Sequence, residues 1–365
     1  MNNETAKVLF REGATFVLLD MPEGSEFGID YNSWTTGPKF KGVKMIPPGI
    51  HFVYYSARSS SLGGMRTGFF HNFCILELFY ILLDISVEPV SPEDQERVMS
   101  NMKELDQYLG PYPYESYKKW VSLTNHITED LLSRLQPECG TITSVTQFES
   151  PSSNSEMRRE AAEKQLSEEG QSPDTKAKKH KGLPKLNKVA GTGMRFTKIP
   201  KQRYPKDASP QEITKHSIDS TFILETLLST AYAANNNEIL GEIQIDFICF
   251  LIGHVYDAFD QWKKLVHLMC SSESALNSHS ELFMDLISVL HFQVHEIPED
   301  FFVDIVSANN FLTSTLQEFF SNLEEGNGDS SLRQRGRKFR EHLTKKFKWD
   351  FMTEPDEYAP VIVDA

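Results

Sequence analysis

Two histidines four residues apart are the pair best placed to do chemistry. His291 and His295 sit in HFQVHE. On a helix that spacing puts both rings on one face, as zinc enzymes use in HExxH. Here no glutamate follows the first histidine, and the sequence supplies neither a third ligand nor a base, so ordinary helix histidines are the stronger reading. The four cysteines, Cys74, Cys139, Cys249 and Cys270, are far apart and form no CxxC pair. Neither a zinc ribbon nor a disulfide framework is expected from them, and reduced thiols are. Cys249 lies in IDFICFLIG, where it reads as a small buried hydrophobe. A reactive thiol would want a positive, partly exposed site.

Nucleotide and hydrolase signatures are missing. Neither GxxxxGK[ST] nor GxSxG occurs, and Gly191-Thr192-Gly193 is too short for a phosphate loop. The pairs Glu168-Glu169 and Glu324-Glu325 lie in polar stretches and read as solvated charge. No catalytic residue, metal or cofactor is assigned, no small-molecule substrate is expected, and the chain is expected not to be an enzyme.

Binding residues are easier to nominate. Arg333 to Lys348, RQRGRKFREHLTKKFK, is the densest basic run. Arg333, Arg337, Arg340 and Lys345 form a candidate basic patch on one helix face, suited to RNA phosphate or an acidic protein surface. The plain alternative is a solvated helix. KAKKHK, from Lys176 to Lys181, suits a weak nuclear-import signal, though such runs are common in linkers. Tyr31 and Trp34, in a loop of turn-forming residues, are candidates for an exposed contact. Ser150 and Ser172 each precede a proline and are candidate phosphorylation sites.

The elements that must carry these residues change along the chain. The first part reads as β: Ala14 to Leu19, Phe27 to Trp34, Val43 to Ile46 and Ile50 to Tyr55, broken by Gly and Pro. Phe69 to Ile85 fits neither period cleanly and leaves buried strands and a buried helix both open. Ser91-Pro92-Glu93-Asp94 predicts a capped helix carrying Val98, Met102, Leu105 and Leu109, ended by Gly110-Pro111. A second helix is predicted over Tyr114 to Leu135, with Trp120, Leu123, Ile127 and Leu131 inward. Residues 137–189 are poor in large apolar side chains and read as a flexible linker. Met194 to Ile199 looks strand-like. Helices are predicted over Gln211–Tyr232, Glu238–Phe259, Asp260–Cys270, Ser280–Val294, Asp300–Ser307, Phe311–Leu323 and Leu332–Phe347, and Phe301, Phe302, Phe311, Phe319 and Phe320 are expected mostly in a core.

The fold class is therefore α+β in two domains. Residues 1–136 form a β-rich unit resembling a sandwich, with two trailing helices. Residues 190–350 form a helical unit, and 351–365 a tail. Its Tyr358, Val361, Ile362 and Val363 have β propensity without a strand to pair with. With 365 residues, 39 % hydrophobic, the chain can fill real cores. Its formal charge of −14 argues against duplex nucleic acid as the main partner. The N-terminus makes a poor signal peptide and no apolar run approaches the ~20 residues of a membrane span, so a soluble, intracellular protein with no membrane partner is expected.

Longer motifs carry a resemblance. GIDYNSWTTGPKFKGVKMIPPGIHFVYYS (Gly28 to Ser56), ELDQYLGPYPY (Glu104 to Tyr114) and KKWVSLTNHIT (Lys118 to Thr128) are similar to segments of the AAR-two splicing-factor family. So are EITKHSIDSTFILE, IPEDFFVDIVSANNFLTSTLQEFF and HLTKKFKWDF in the second half. Residues 71–85 depart from the family pattern, being almost uniformly apolar. The resemblance implies a sandwich-like N-terminal domain and a VHS-like helical C-terminal domain. It also implies a pre-mRNA splicing role as an assembly chaperone of the U5 small nuclear ribonucleoprotein. Such a chaperone binds the large central U5 scaffold protein at its RNase H-like and Jab/MPN domains, beside other U5 proteins, and keeps the U5 RNA helicase away until maturation. A tail that adds a strand to its partner, a phosphorylation switch and residence in nucleus and cytoplasm belong to the same implication. An RNA-binding protein using the basic helix is the alternative.

Overall fold

The computed structural model describes residues 2–56, 65–82, 100–144, 148–149, 187–297, 311–325 and 329–351. The predicted helix start at Ser91, the Asp300–Ser307 helix with Phe301 and Phe302, and most of the linker lie outside them.

The chain opens with a helix that the sequence did not announce, α1 (Asn3–Glu12). Asn2 caps it by accepting from the Thr5 N–H at 2.7 Å. Leu9 is its single buried residue, which is why no apolar stripe marks it. Seven strands follow: β1 (Ala14–Leu19), β2 (Glu26–Ile29), β3 (Asn32–Thr35), β4 (Gly42–Ile46), β5 (Gly49–Ser56), β6 (Arg66–Phe73) and β7 (Leu78–Leu82). The ambiguous stretch after Gly68 is thus two strands. The turn between them uses a positive φ at Leu76, and Glu77 accepts from the Cys74 N–H. Of the helix expected to carry Val98 to Leu109, the described residues show the helical turn Met102–Leu105. Leu109–Pro111 instead forms β8, drawn into parallel pairing with β4. Tyr114–Leu135 divides into α2 (Tyr117–Thr124) and α3 (Glu129–Leu135), because Thr128 starts a new helix by accepting from Leu131 N–H. Ile142–Thr143 forms β9.

These strands make a mixed sheet, β7-β1-β4-β8, and an antiparallel sheet, β3-β2-β5-β6-β9. Period-two alternation sorts the second sheet's side chains. Val53, Phe69 and Phe73 join Phe16, Leu18 and Val43 of the first sheet in one core. Phe16 has Phe27, Phe69, Phe73 and Phe79 within 6.4 Å of its ring centroid. Burying each such ring contributes roughly 1.5–3 kcal/mol. The alternate residues Phe52, Tyr54 and Phe70 face the other way, onto helices.

The second half is helical: α4 (Pro210–Ile218), α5 (Thr221–Thr230), α6 (Glu238–Leu251), α7 (Tyr256–Cys270), α8 (Ser280–Glu296), α9 (Phe311–Glu325) and α10 (Ser330–Phe347). Ser209 and Glu212 form the predicted capping box. Two predicted boundaries move. Asp219 interrupts Gln211–Tyr232 by accepting from both the N–H and the hydroxyl of Thr221. Gly253 and His254, the latter at φ 58°, separate α6 from α7. Nearly every residue of α6 is buried, since helices cover it on one side and the antiparallel sheet with α2 and α3 on the other. At Gly241 a Cβ would stand 2.4 Å from the His126 carbonyl oxygen, so only glycine admits this approach of α6 to the α2–α3 connection. Gln244 completes the joint, accepting from the His126 N–H and donating to Asn125. Met194–Ile199 is extended but is not a strand. It is pinned by Thr197, whose N–H and hydroxyl both donate to Glu242.

Candidate interaction surfaces

Three polar constellations have the residue types of an active site, and burial separates them. Asp30, His51 and Tyr112 form the first. Asp30 Oδ2 accepts from His51 Nδ1 at 2.7 Å and from the Tyr112 hydroxyl at 2.5 Å, while Oδ1 accepts from Phe52 N–H. His51 Nε2 faces the Pro47 carbonyl oxygen at 2.9 Å. All three residues are 2 % exposed or less, so no substrate reaches them and the network ties β2, β5 and the segment after β8 together.

Glu242 centres the second, on α6. It accepts from Thr197, Tyr232 and Gln261. One turn on, Asp246 is wholly buried and neither carboxylate oxygen has a hydrogen-bond partner. Burial first, and the charge of Glu242 second, push its carboxyl well above the usual range. Burial likewise pushes the Cys249 thiol well up, as its apolar sequence context suggested.

The third is the histidine pair singled out in the sequence. His291 and His295 do share a face of α8, and α10 adds His342, which local spacing had no means to show. Ring centroids lie 4.8 Å apart for His291–His342, 5.9 Å for His295–His342 and 6.0 Å for His291–His295. No group of side chains among the described residues is arranged to hold a metal ion. Partial burial, His342, His295, Lys346 and Arg335 lower the pKa of His291. Burial, His295, Lys346 and Lys345 lower that of His342.

The nominated binding residues fare differently. Tyr31 turns inward rather than outward: its ring meets Trp120 edge-on at 6.3 Å, and Lys119 lies over it at 4.4 Å while bridging to Glu296 of α8. Burial raises its pKa far above the ordinary tyrosine value. Trp34 is 42 % exposed on β3, an outer strand of its sheet. The basic patch is tied in part to a single carboxylate. Arg337 donates to both oxygens of Glu324 on α9, Arg340 reaches the same carboxylate at 3.5 Å, and Arg333 adds its charge there. Glu324, read in sequence as solvated charge, is thereby held below the usual carboxylate range. Lys345 shares with Arg340, Asp350 and Phe351 a cleft of about 290 Å³ where the described chain ends. Ser150, Ser172, Lys176 to Lys181, Tyr358, Val361, Ile362 and Val363 lie outside the described residues.

Comparison with known proteins follows the two halves. Residues 12–137 match the AAR2 N-terminal domain, and residues 196–352 match the AAR2 C-terminal repeat region. The chain belongs to the AAR2 family. It is 46 % identical over 372 residues to the Protein AAR2 homolog of Homo sapiens, covering 100 % of this chain and 97 % of that one. The Caenorhabditis elegans homolog is 38 % identical over 361 residues, 95 % of this chain and 97 % of that one. The A1 cistron-splicing factor AAR2 of Saccharomyces cerevisiae is 21 % identical over 285 residues, covering 75 % and 74 %. No helix among the described residues is long and apolar enough to cross a membrane. Among the described residues, Trp34 on an outer strand and charged side chains of α10 are exposed, while the constellation at Asp30 and the acidic pair on α6 are closed.

Proposed function

We propose that the protein is a pre-mRNA splicing factor acting as a non-enzymatic assembly chaperone of the U5 small nuclear ribonucleoprotein. The observation that carries this reading is the family match across both halves, which includes a yeast relative named as a splicing factor. In this reading it binds the large U5 scaffold protein at its RNase H-like and Jab/MPN domains, in nucleus and cytoplasm, and withholds the U5 RNA helicase. The sheet-rich half serves as a sandwich-like module and the helical half as a VHS-like one.

The physical support is the arrangement of surfaces. Proteins that act by holding others need rigid bodies with unpartnered edges. The large joint between sheet and helices supplies rigidity, and Trp34 on β3 supplies an edge. The tail residues Tyr358, Val361, Ile362 and Val363 would add a strand to the partner, and charge placed at Ser150 or Ser172 would weaken such contacts. Co-purification of the full chain from nuclear and cytoplasmic extracts tests the proposal. Recovery of the U5 scaffold without the helicase supports it. Recovery of scaffold and helicase together, or of no spliceosomal protein, refutes it.

A further inference from the structure

The basic helix α10 has two charged flanks either side of its buried stripe, Leu332, Gly336, Phe339 and Leu343. The flank with Arg333, Arg337 and Arg340 shares one carboxylate, Glu324, which holds the Arg337 and Arg340 side chains against α9. The other flank carries Arg335, His342 and Lys346, spaced seven and four residues apart and so on one side of the helix. It lies along α8: Arg335 donates to the Ser288 hydroxyl, His342 sits against His291 and His295, and Lys346 reaches the His295 carbonyl oxygen at 3.4 Å. None of these six groups has a carboxylate partner among the described residues. Of the nearby acids, Glu296 bridges to Lys119 of α2 and Asp285 lies by His126.

This is uncompensated positive charge on a chain whose net charge is −14, set among stackable rings. His295 and His342 are nearly parallel, at 27°, and Phe292 beside them is 41 % exposed. Two cations without a carboxylate partner among the described residues, Arg335 and Lys346, with aromatic rings between them suit a ligand that brings both negative charge and flat faces. A phosphate backbone would meet Arg335 and Lys346, and an unpaired base would stack on Phe292 or an imidazole. An acidic peptide would use the charge but leave the exposed rings without a role. From this geometry we infer that the α8–α10 face around His291, Phe292, His295, Arg335, His342 and Lys346 binds a short stretch of single-stranded RNA. The inference stands apart from scaffold binding, and either holds without the other.

Fluorescence anisotropy of a labelled single-stranded oligouridine with the full chain, at about 0.15 M salt where long-range charge is screened, tests it. Binding is expected to weaken about tenfold or more in Arg335→Ala/Lys346→Ala, and by several-fold in Phe292→Ala, from loss of phosphate contacts and stacking. Arg337→Ala, on the opposite flank and held by both oxygens of Glu324, is expected to change it less than about twofold. Affinity is expected to rise as pH falls from about 7 to about 5, because His291 and His342, whose pKa values are lowered, gain positive charge there. Arg335, Arg337 and Phe292 are exposed and Lys346 is half-buried, and unchanged circular dichroism would confirm that the variants fold. Absence of binding, an equal loss in Arg337→Ala, or equal binding of an acidic phosphopeptide with no dependence on Phe292 would each overturn the inference. So would zinc uptake that requires His342 in a chain that does not bind the RNA.

Discussion

At the scale of single residues, the chain's chemistry is mostly turned inward. Asp30 holds three donors, two from β5 and one from the segment after β8, so Asp30→Ala strands a buried imidazole, a phenol and an amide at once. Unfolding in urea is expected to show a loss of about 3–5 kcal/mol. Asp246 poses the opposite case, since it has no partner to lose. Its folded-state pKa is raised above the unfolded value of about 4. Below pH 4 both states carry the proton and nothing is lost. As pH rises from there toward the folded pKa, the unfolded state releases the proton more readily and folding weakens. Asp246→Asn does not titrate. Its stability relative to the native chain is therefore expected to improve as pH goes from about 4 to 7, which denaturation at several pH values would read. A constant difference across that range would mean that Asp246 is not buried neutral.

Elements are held by what other elements supply. Gly241 shows this most sharply, because α6 approaches the α2–α3 connection only where no Cβ intervenes. Alanine would gain about 1 kcal/mol in helix propensity. The methyl would still stand against the His126 carbonyl and Leu131, and overpacking of that kind costs about 1–3 kcal/mol. A net loss of melting temperature is expected for Gly241→Ala, with faster proteolysis near residue 126 as α2 and α3 loosen. Strand and helix identities show how much was legible beforehand. β1, β4, β5, α8 and α10 follow the apolar pattern of their own sequence. α1 did not, because it buries one residue. β8 did not, because Leu109–Pro111 is extended only through its pairing with β4. Tyr114–Leu135 read as one helix because Trp120, Leu123, Ile127 and Leu131 keep helical spacing across a break that Thr128 makes locally.

For the whole molecule, the two halves share a core: Phe52, Tyr54 and Phe70 of the sheet, Trp120, Ile127 and Leu131 of α2, α3 and their connection, and Ile245 and Ile248 of α6. They are expected to melt as one cooperative unit, visible as a single calorimetric transition; two separated transitions would contradict this. The end of that unit also bears on function. Phe351 is 6 % exposed against Phe320 and Trp349. Phe351→Ala is expected to cost about 3 kcal/mol. A chain cut just after Phe351 should keep its stability and lose affinity for the scaffold's Jab/MPN module in calorimetric titration. Unchanged affinity would take the tail out of the proposed mechanism.

Composition and local pattern by themselves determined that sheets come first and helices second, which residues of the long helices face inward, that Cys249 is buried, and, through long ordered motifs, the family. Those properties depend on neighbours one to seven residues away, where backbone period and side-chain type are visible together. Only the tertiary structure decided that Glu324 pairs with Arg337 and Arg340, that Tyr31 points into the joint, and that His342 joins His291 and His295. Each is an electrostatic or packing contact between segments distant in sequence. A charge in a linear sequence carries no record of which opposite charge, if any, the fold will set beside it.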